Sequence, residues 1–409
     1  MSASLETAAD REASGRAPPW SRIAGFLVRH RTVIYAFLAS RLALFAVGLM
    51  TQIFIEPFST HVSPVHVTDS AALRMWGEWD TGWYMSLARD GYASHPGPDG
   101  QVNWVFFPAF PMLSAAIAWI THLPLFVAMI GLANLSFLIA LFLVHRFARE
   151  EFDEPTANLA VVLLCAAPGS YIFSSGYTES LFLLAITACL LLLRSRRWMA
   201  AGGFAALAVL TRNLGLGLAL PFAFAAAPGL WRLGREVAAG QVASRRPLIR
   251  EAARVAAGLA LPALALAGFC LLLYFTTGDP LAFVTGQEGW GRSLGNPFPE
   301  LYRPLITRGL ADSDLISFAA GWLSLSLLVA LALMRRWSLL ILGGFLTLIP
   351  LATGLTSYAR YSLVALPILL AGAKLLAPRP AAATAVLILF ATLNGFLMVA
   401  WTLCMWVTA

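Results

Sequence analysis

The run RSRRWMAAGGFAALAVLTRNLGLGLALPFAFAAAPGLWRLGR, residues 194–235, decides how the chain is built. Its apolar centre, 199–227, is long for one membrane crossing and short for two, because a crossing helix takes about 20 residues. Arg194, Arg196 and Arg197 precede it, and Arg232, Arg235, Arg245, Arg246 and Arg250 follow. Lys and Arg collect on the cytoplasmic side of membrane proteins. Both flanks therefore belong on that side, and the run must enter and leave by one face. Two short half-spans meeting near Arg212 satisfy the requirement.

The same reasoning extends outward in both directions. Apolar stretches at roughly 33–55, 126–146, 157–174, 178–194, 254–275, 314–334, 338–355, 361–376 and 382–406 read as spans. Arg335 and Arg336 mark another cytoplasmic connection, as do Arg11 to Arg31 in a polar segment, 1–32, that reads as a disordered cytoplasmic tail rather than a signal peptide. The parity closes if 106–123 lies along the non-cytoplasmic interface without crossing. The result is an all-α, polytopic transmembrane bundle of about eleven spans over 33–409, with 56–125 as its first and largest outer loop.

Composition agrees. Of 409 residues, 59% are hydrophobic and 12% charged, with a mean hydropathy of +0.74. Soluble domains carry about twice that charge, so a water-soluble enzyme, a disordered chain and a fibrous one are all excluded. The balance of +7 reports topology, not a nucleic-acid partner. Cys165, Cys189, Cys270 and Cys404 all lie in apolar runs, which speaks against a disulfide framework or a zinc site.

Polar clusters that the charge rule leaves unexplained all fall on the non-cytoplasmic side: 56–125, 175–179, 212–213, 276–313 and 356–360. In the first, Trp76-Gly77-Glu78-Trp79-Asp80-Thr81-Gly82-Trp83-Tyr84 leads into a short helix over 81–90. Asp80 is its N-cap and Gly91 its stop. An aspartate at a helix start beside aromatic walls is held ionised by the dipole and can accept a proton from an attacking hydroxyl. It can also be only a cap, with Trp79, Trp83 and Tyr84 an interfacial belt. Asn103, before Trp104-Val105-Phe106-Phe107-Pro108, is placed to meet a polar ligand, although the stretch also reads as an anchor for the interfacial helix. Glu179 opens the fourth span, where it suits the dipole or binds sugar hydroxyls at the lip.

Arg212 and Asn213 interrupt two half-helices, and an intramembrane arginine is a functional candidate by default. Arg360, beside Tyr361, sits at the start of a span, where a cation opposes the dipole until an anion binds. In the loop 276–313, Gly278-Asp279-Pro280 signals a turn. Gln287 and Trp290 are spaced to share one helical face near Arg292. His61 and His66 lack clear partner ligands, so no metal site is expected.

Several of these segments together resemble the GPI mannosyltransferase II (PIG-V-like) family, prokaryotic type. They are Trp79-Asp80 with Trp83-Tyr84 and Gly91-Tyr92, Phe106-Phe107-Pro108 with Pro111-Met112-Leu113, and Tyr177-Thr178-Glu179-Ser180-Leu181-Phe182. Leu210-Thr211-Arg212-Asn213, Gly278-Asp279-Pro280-Leu281-Ala282-Phe283 and Arg360-Tyr361 continue the likeness across 33–376. The resemblance implies a GT-C glycosyltransferase fold with the catalytic acid in the first outer loop, Asp80 here and Glu78 its nearest neighbour. It also implies an inverting transfer of mannose, or a related hexose, from a polyprenyl-phosphate sugar to a glycan or glycolipid acceptor, without a cofactor. The eukaryotic acceptor is not carried over. No G-x-G-x-x-G fingerprint appears, which suits a donor delivered by the membrane. A lipid-linked sugar flippase is the alternative and would call for mid-membrane polar groups and an internal repeat. A scaffolding subunit leaves the outer acids unexplained.

Overall fold

A computed structural model describes residues 27–55, 67–97, 100–241, 244–307 and 315–405; the polar stretch 1–26 and the pair His61 and His66 lie outside them. Among the described residues every regular element is helical. The first part of the chain runs α1 (Arg31–Phe54), α2 (Ala71–Arg74), α3 (Thr81–Asp90), α4 (Ala109–Thr121) and α5 (Leu125–Glu151). Then come α6 (Glu154–Ala166), α7 (Glu179–Arg194), α8 (Trp198–Thr211), α9 (Ala219–Ala238) and α10 (Arg246–Thr277). The order closes with α11 (Ala282–Thr285), α12 (Pro299–Thr307), α13 (Leu315–Leu333), α14 (Trp337–Leu351), α15 (Tyr358–Leu363), α16 (Leu366–Leu376) and α17 (Pro380–Thr402).

Among the described residues, six segments are long and apolar enough to cross a membrane: α1, α5, 213–238, α10, α13 and α17. Beside them stand α4, α6, α8, α14 and α16, which are apolar but shorter. Two expected spans are interrupted for a local reason. The stretch 157–174 leaves the α-helix after Ala166, because Pro168 disfavours α geometry in the residue before it. Gly169, at φ 90°, then turns the chain into a 3-10 segment over Ser170–Ser174. The stretch 361–376 breaks between α15 and α16, just ahead of Pro367. The run 199–227 divides at the expected place: Arg212 is extended (φ −158°, ψ 144°) between α8 and a 3-10 turn over Asn213–Leu218.

The core sits around α7, where Phe182, Leu183, Ile186 and Cys189 have no exposure. It is flanked by α5 and α8. Close approach of α8 and α10 depends on Gly202 and Gly258, since a Cβ on Gly202 would lie 2.1 Å from the Gly258 carbonyl oxygen. Small residues allow such contacts between apolar helices. Outer helices turn large apolar side chains outward, among them Tyr35 and Leu42 on α1, Leu264 and Phe275 on α10, and Ile388 and Phe396 on α17. Lipid is the solvent that suits such surfaces.

Arg41 is buried within α1. Its guanidinium donates to the Ser170 carbonyl at 2.8 Å and to the Ser170 and Ser174 hydroxyls at 2.6 and 3.2 Å. These bonds satisfy a desolvated cation and splice α1 to the 170–174 turn that leads into α7.

Candidate active site

The stretch before α3 makes a tight turn. Trp79 has φ 52°, rare for a bulky residue, and Asp80 occupies the position just before Thr81, the first residue of α3. Asp80 is helical (φ −63°, ψ −12°), and its side chain makes no capping bond. A capping side chain needs an extended backbone to reach back to the helix, so the capping role read from the sequence is corrected. The carboxylate accepts instead from Arg360 Nη1 at 2.7 Å. The backbone N–H of Asp80 donates to the Tyr177 hydroxyl at 2.8 Å, which fixes the turn against the segment preceding α7.

Glu179 lies deeper. It has no exposure, pairs with Arg212, and its Oε1 lies 3.5 Å from Arg360 Nε. It is not at a lip, as expected from the sequence, but beneath the two arginines. The same Arg212 nitrogen donates to the Thr178 hydroxyl at 3.2 Å. Arg360 sits in the six-residue α15, too short for the dipole effect expected of a full span. Two carboxylates, not a helix end, hold it. Its guanidinium carbon lies 5.2 Å from the Tyr177 ring centre and 5.3 Å from that of Tyr361. Arg212 stands 4.8 Å from the Tyr361 ring, and Arg292 donates to the Tyr361 hydroxyl at 2.8 Å. Three guanidinium groups thus converge on one phenol.

These groups border a cavity of about 480 Å³. Asp80, Arg212, Asn213, Arg292, Arg360 and Tyr361 supply its polar wall, and Tyr84, Phe106, Phe107, Phe283 and Trp290 its aromatic one. Phe106 packs edge-on to Trp290 at 5.5 Å and to Tyr84 at 5.0 Å. Burial pushes the Tyr84 phenol above its ordinary value, so it stays neutral. Gln287 also lines the cavity. It does not share a continuous helix with Trp290, because α11 ends at Thr285 and a separate 3-10 turn covers Glu288–Trp290.

Three expected contacts lie elsewhere, and so does Glu78. Trp83 stands behind the wall, stacked on Phe106 and edge-on to Trp290 at 5.2 Å. Trp79 packs against the core. Asn103 is spent on the backbone, accepting from Ala93 N–H at 3.1 Å and donating to the Gly91 carbonyl at 3.0 Å, so it shapes the loop. Glu78 is buried away from the cavity and accepts from the Cys404 thiol at 2.7 Å; burial raises its carboxyl. Reading the sequence missed Tyr177 and Thr178 as supports, although both adjoin Glu179. It also missed Glu288, Ser293 and Thr353 on the wall, for which no local signal exists.

A helical bundle with lipid-facing surfaces defines an integral membrane protein, and this one carries a charged, aromatic-walled cavity. The chain belongs to the mannosyltransferase (PIG-V) family, whose model matches residues 22–225. The matched part carries Asp80, Glu179 and Arg212. No curated protein matches the chain. Among solved structures it is similar to ArnT from Cupriavidus metallidurans bound to undecaprenyl phosphate (17% identity, TM-score 0.46, covering 83% of this chain and 59% of that one). It is also similar to the Archaeoglobus fulgidus oligosaccharyltransferase in complex with zinc and sulfate (15%, 0.45, 91% and 53%). A third likeness is to AglB from Archaeoglobus fulgidus in complex with an inhibitory peptide and a dolichol-phosphate (14%, 0.43, 90% and 56%). The chain spans between half and three-fifths of the length of these structures.

Proposed function

We propose that the chain moves mannose, or a related hexose, from a polyprenyl-phosphate sugar to a hydroxyl of a glycan or glycolipid, with inversion at the anomeric carbon. The observation that carries this reading is the meeting of Asp80 with Arg212, Arg292 and Arg360 around one aromatic-walled cavity in a chain of the mannosyltransferase family. Asp80 is the general base, and the guanidinium groups hold the phosphate.

An acceptor oxygen forms a bond to the anomeric carbon as the bond from that carbon to the phosphate oxygen breaks. The acceptor proton passes to Asp80, and the bonding pair leaves with the phosphate. A phosphodiester with one negative charge thereby becomes a monoester approaching two. Guanidinium donors already fixed in place stabilise that gain without reorganising. At rest Asp80 is paired with Arg360. A bound phosphate takes that guanidinium over and leaves the carboxylate to the acceptor hydroxyl. The aromatic wall excludes water that would otherwise hydrolyse the donor.

The non-cytoplasmic face is favoured by charge, since Arg194, Arg196, Arg197, Arg335 and Arg336 gather at the far ends of α7 and α13. The test is to supply isotope-labelled polyprenyl-phosphate mannose to the purified protein with extracted cell-envelope lipids. Label is expected in a lipid or glycan acceptor. Label that stays on the donor under all acceptor fractions contradicts the reading.

A further inference from the structure

We infer that Glu179 is a positioning residue that sets the charge of the cavity, so that a phosphodiester is held while the phosphomonoester product is released. This rests on the donor reading above. Glu179 cannot meet substrate, because it has no exposure and does not border the cavity. It nevertheless pairs with both guanidinium groups of the floor, hydrogen-bonded to Arg212 and an ion-pair neighbour of Arg360, whose Nε lies 3.5 Å away without a hydrogen bond. Arg360 keeps its Nη1 on Asp80 at 2.7 Å. The buried carboxylate thus sits behind two arginines that both border the cavity.

Counting formal charges around the floor, three guanidinium groups (Arg212, Arg292, Arg360) meet two carboxylates (Asp80, Glu179), leaving one positive charge in excess with the Tyr361 phenol, which contacts all three guanidinium groups, in its neutral form. Glu288 borders the cavity at its exposed rim, where water screens it. One positive charge matches the single negative charge of a phosphodiester. The product carries nearly two, and a site with greater excess would retain it. Without Glu179 the two floor arginines would face the ligand unbalanced.

The prediction is quantitative because a fixed change in site charge acts on a ligand in proportion to the ligand's charge. In Glu179→Gln, a gain of roughly 5-fold in donor affinity should accompany a gain of roughly 25-fold in product affinity. Turnover should fall as product leaves slowly, while donor KM also falls. A phosphomonoester has a second pKa near 6, so at pH 5 donor and product carry similar charge and the two gains should converge. A role confined to packing would lower the folded fraction and leave the affinity ratio alone.

The experiment uses the full-length protein in lipid nanodiscs and measures binding of labelled polyprenyl-phosphate mannose and of polyprenyl phosphate at pH 7.5 and 5. It compares the unmodified protein, Glu179→Gln, Glu179→Asp, and Glu179→Gln combined with Arg212→Gln. A ratio shifted towards product in Glu179→Gln at pH 7.5 only, with Glu179→Asp near the unmodified ratio, supports the inference. Equal gains, or losses of both lipids, overturn it. The double variant removes cation and anion together and so avoids an uncompensated buried charge. Because Arg212 itself borders the cavity, the double variant should bind both lipids less tightly and lose the shift towards product. A ratio still shifted towards product there overturns the inference even if the single variant does not fold. If the unmodified protein binds neither lipid, the donor reading falls and takes this inference with it.

Discussion

α7 carries a charged cluster at each end, and the two are built from the same residue types. At one end Glu179 holds Arg212 and Arg360 beneath a cavity. At the other, fifteen residues on and roughly 22 Å away at 1.5 Å per residue, Arg194 and Arg336 share Glu151. Nearby, Lys374 donates to Asp153 at 2.5 Å, and Arg336 and Lys374 lie over the Phe152 ring. The Glu151 cluster uses its charges to staple the ends of α5, α7, α14 and α16, and its cations are one-third or more exposed. The Glu179 cluster is far more buried, and its arginines border a cavity. Ion pairs alone therefore say little about function. What separates a site from a staple is desolvated charge left facing a cavity.

That contrast can be broken by substitution at either end. The largest effect is expected for Asp80→Asn, which should cut sugar transfer by about 10³-fold. The variant should still fold and bind donor at least as tightly as the unmodified protein, since a balancing negative charge is gone. Near-normal transfer would remove Asp80 as base. Arg360→Lys keeps a charge but loses the planar fork, and kcat/KM should drop roughly 10²-fold. Unchanged turnover and donor affinity would end its phosphate role. Glu151→Gln should behave in the opposite way, costing about 2 kcal/mol of stability with turnover per folded molecule unaltered. A kinetic defect there would collapse the distinction between the two ends.

The smallest effect concerns Asp153, which caps α6 by accepting from Thr156 N–H at 2.9 Å. The Lys374 ammonium and the bonds from Thr156 hold its carboxyl down at about 2. A lowered value means that the stabilisation is present above the ordinary carboxylate range and is lost as pH falls through about 2. Asp153→Ala should cost about 1 kcal/mol at neutral pH. The difference, followed by thermal unfolding, should hold down to the ordinary range and shrink below it.

Much of this arrangement was legible in the chain. The break at Arg212 followed from basic flanks around a run of awkward length, and the α3 boundaries from Asp80 and Gly91. Asp80, Arg212 and Arg360 stood out because charge in or beside apolar sequence needs a reason. What each touches was not legible. Glu179 read as a surface acid because an N-terminal helical position suits a carboxylate anywhere; only packing shows it to be buried under two arginines. Asn103 read as a ligand contact because its backbone partners, at Gly91 and Ala93, come from a neighbouring stretch of loop. Arg360 read as opposing a helix dipole because the apolar run 361–376 looks like one continuous span, whereas the chain breaks ahead of Pro367 and leaves Arg360 on a six-residue helix. Thr353 reaches the wall through tertiary packing alone.

The central claim, that this cavity opens on the non-cytoplasmic side and receives a lipid-phosphate sugar, has a direct measurement. Glu288→Cys, in a chain with Cys165, Cys189, Cys270 and Cys404 replaced, puts a thiol on the exposed rim. Sealed vesicles of known orientation are then treated with a membrane-impermeant maleimide, with and without polyprenyl-phosphate mannose. Labelling from the non-cytoplasmic side alone, slowed by the donor, is the predicted result. Labelling from the cytoplasmic side, or a rate indifferent to the donor, would contradict the account.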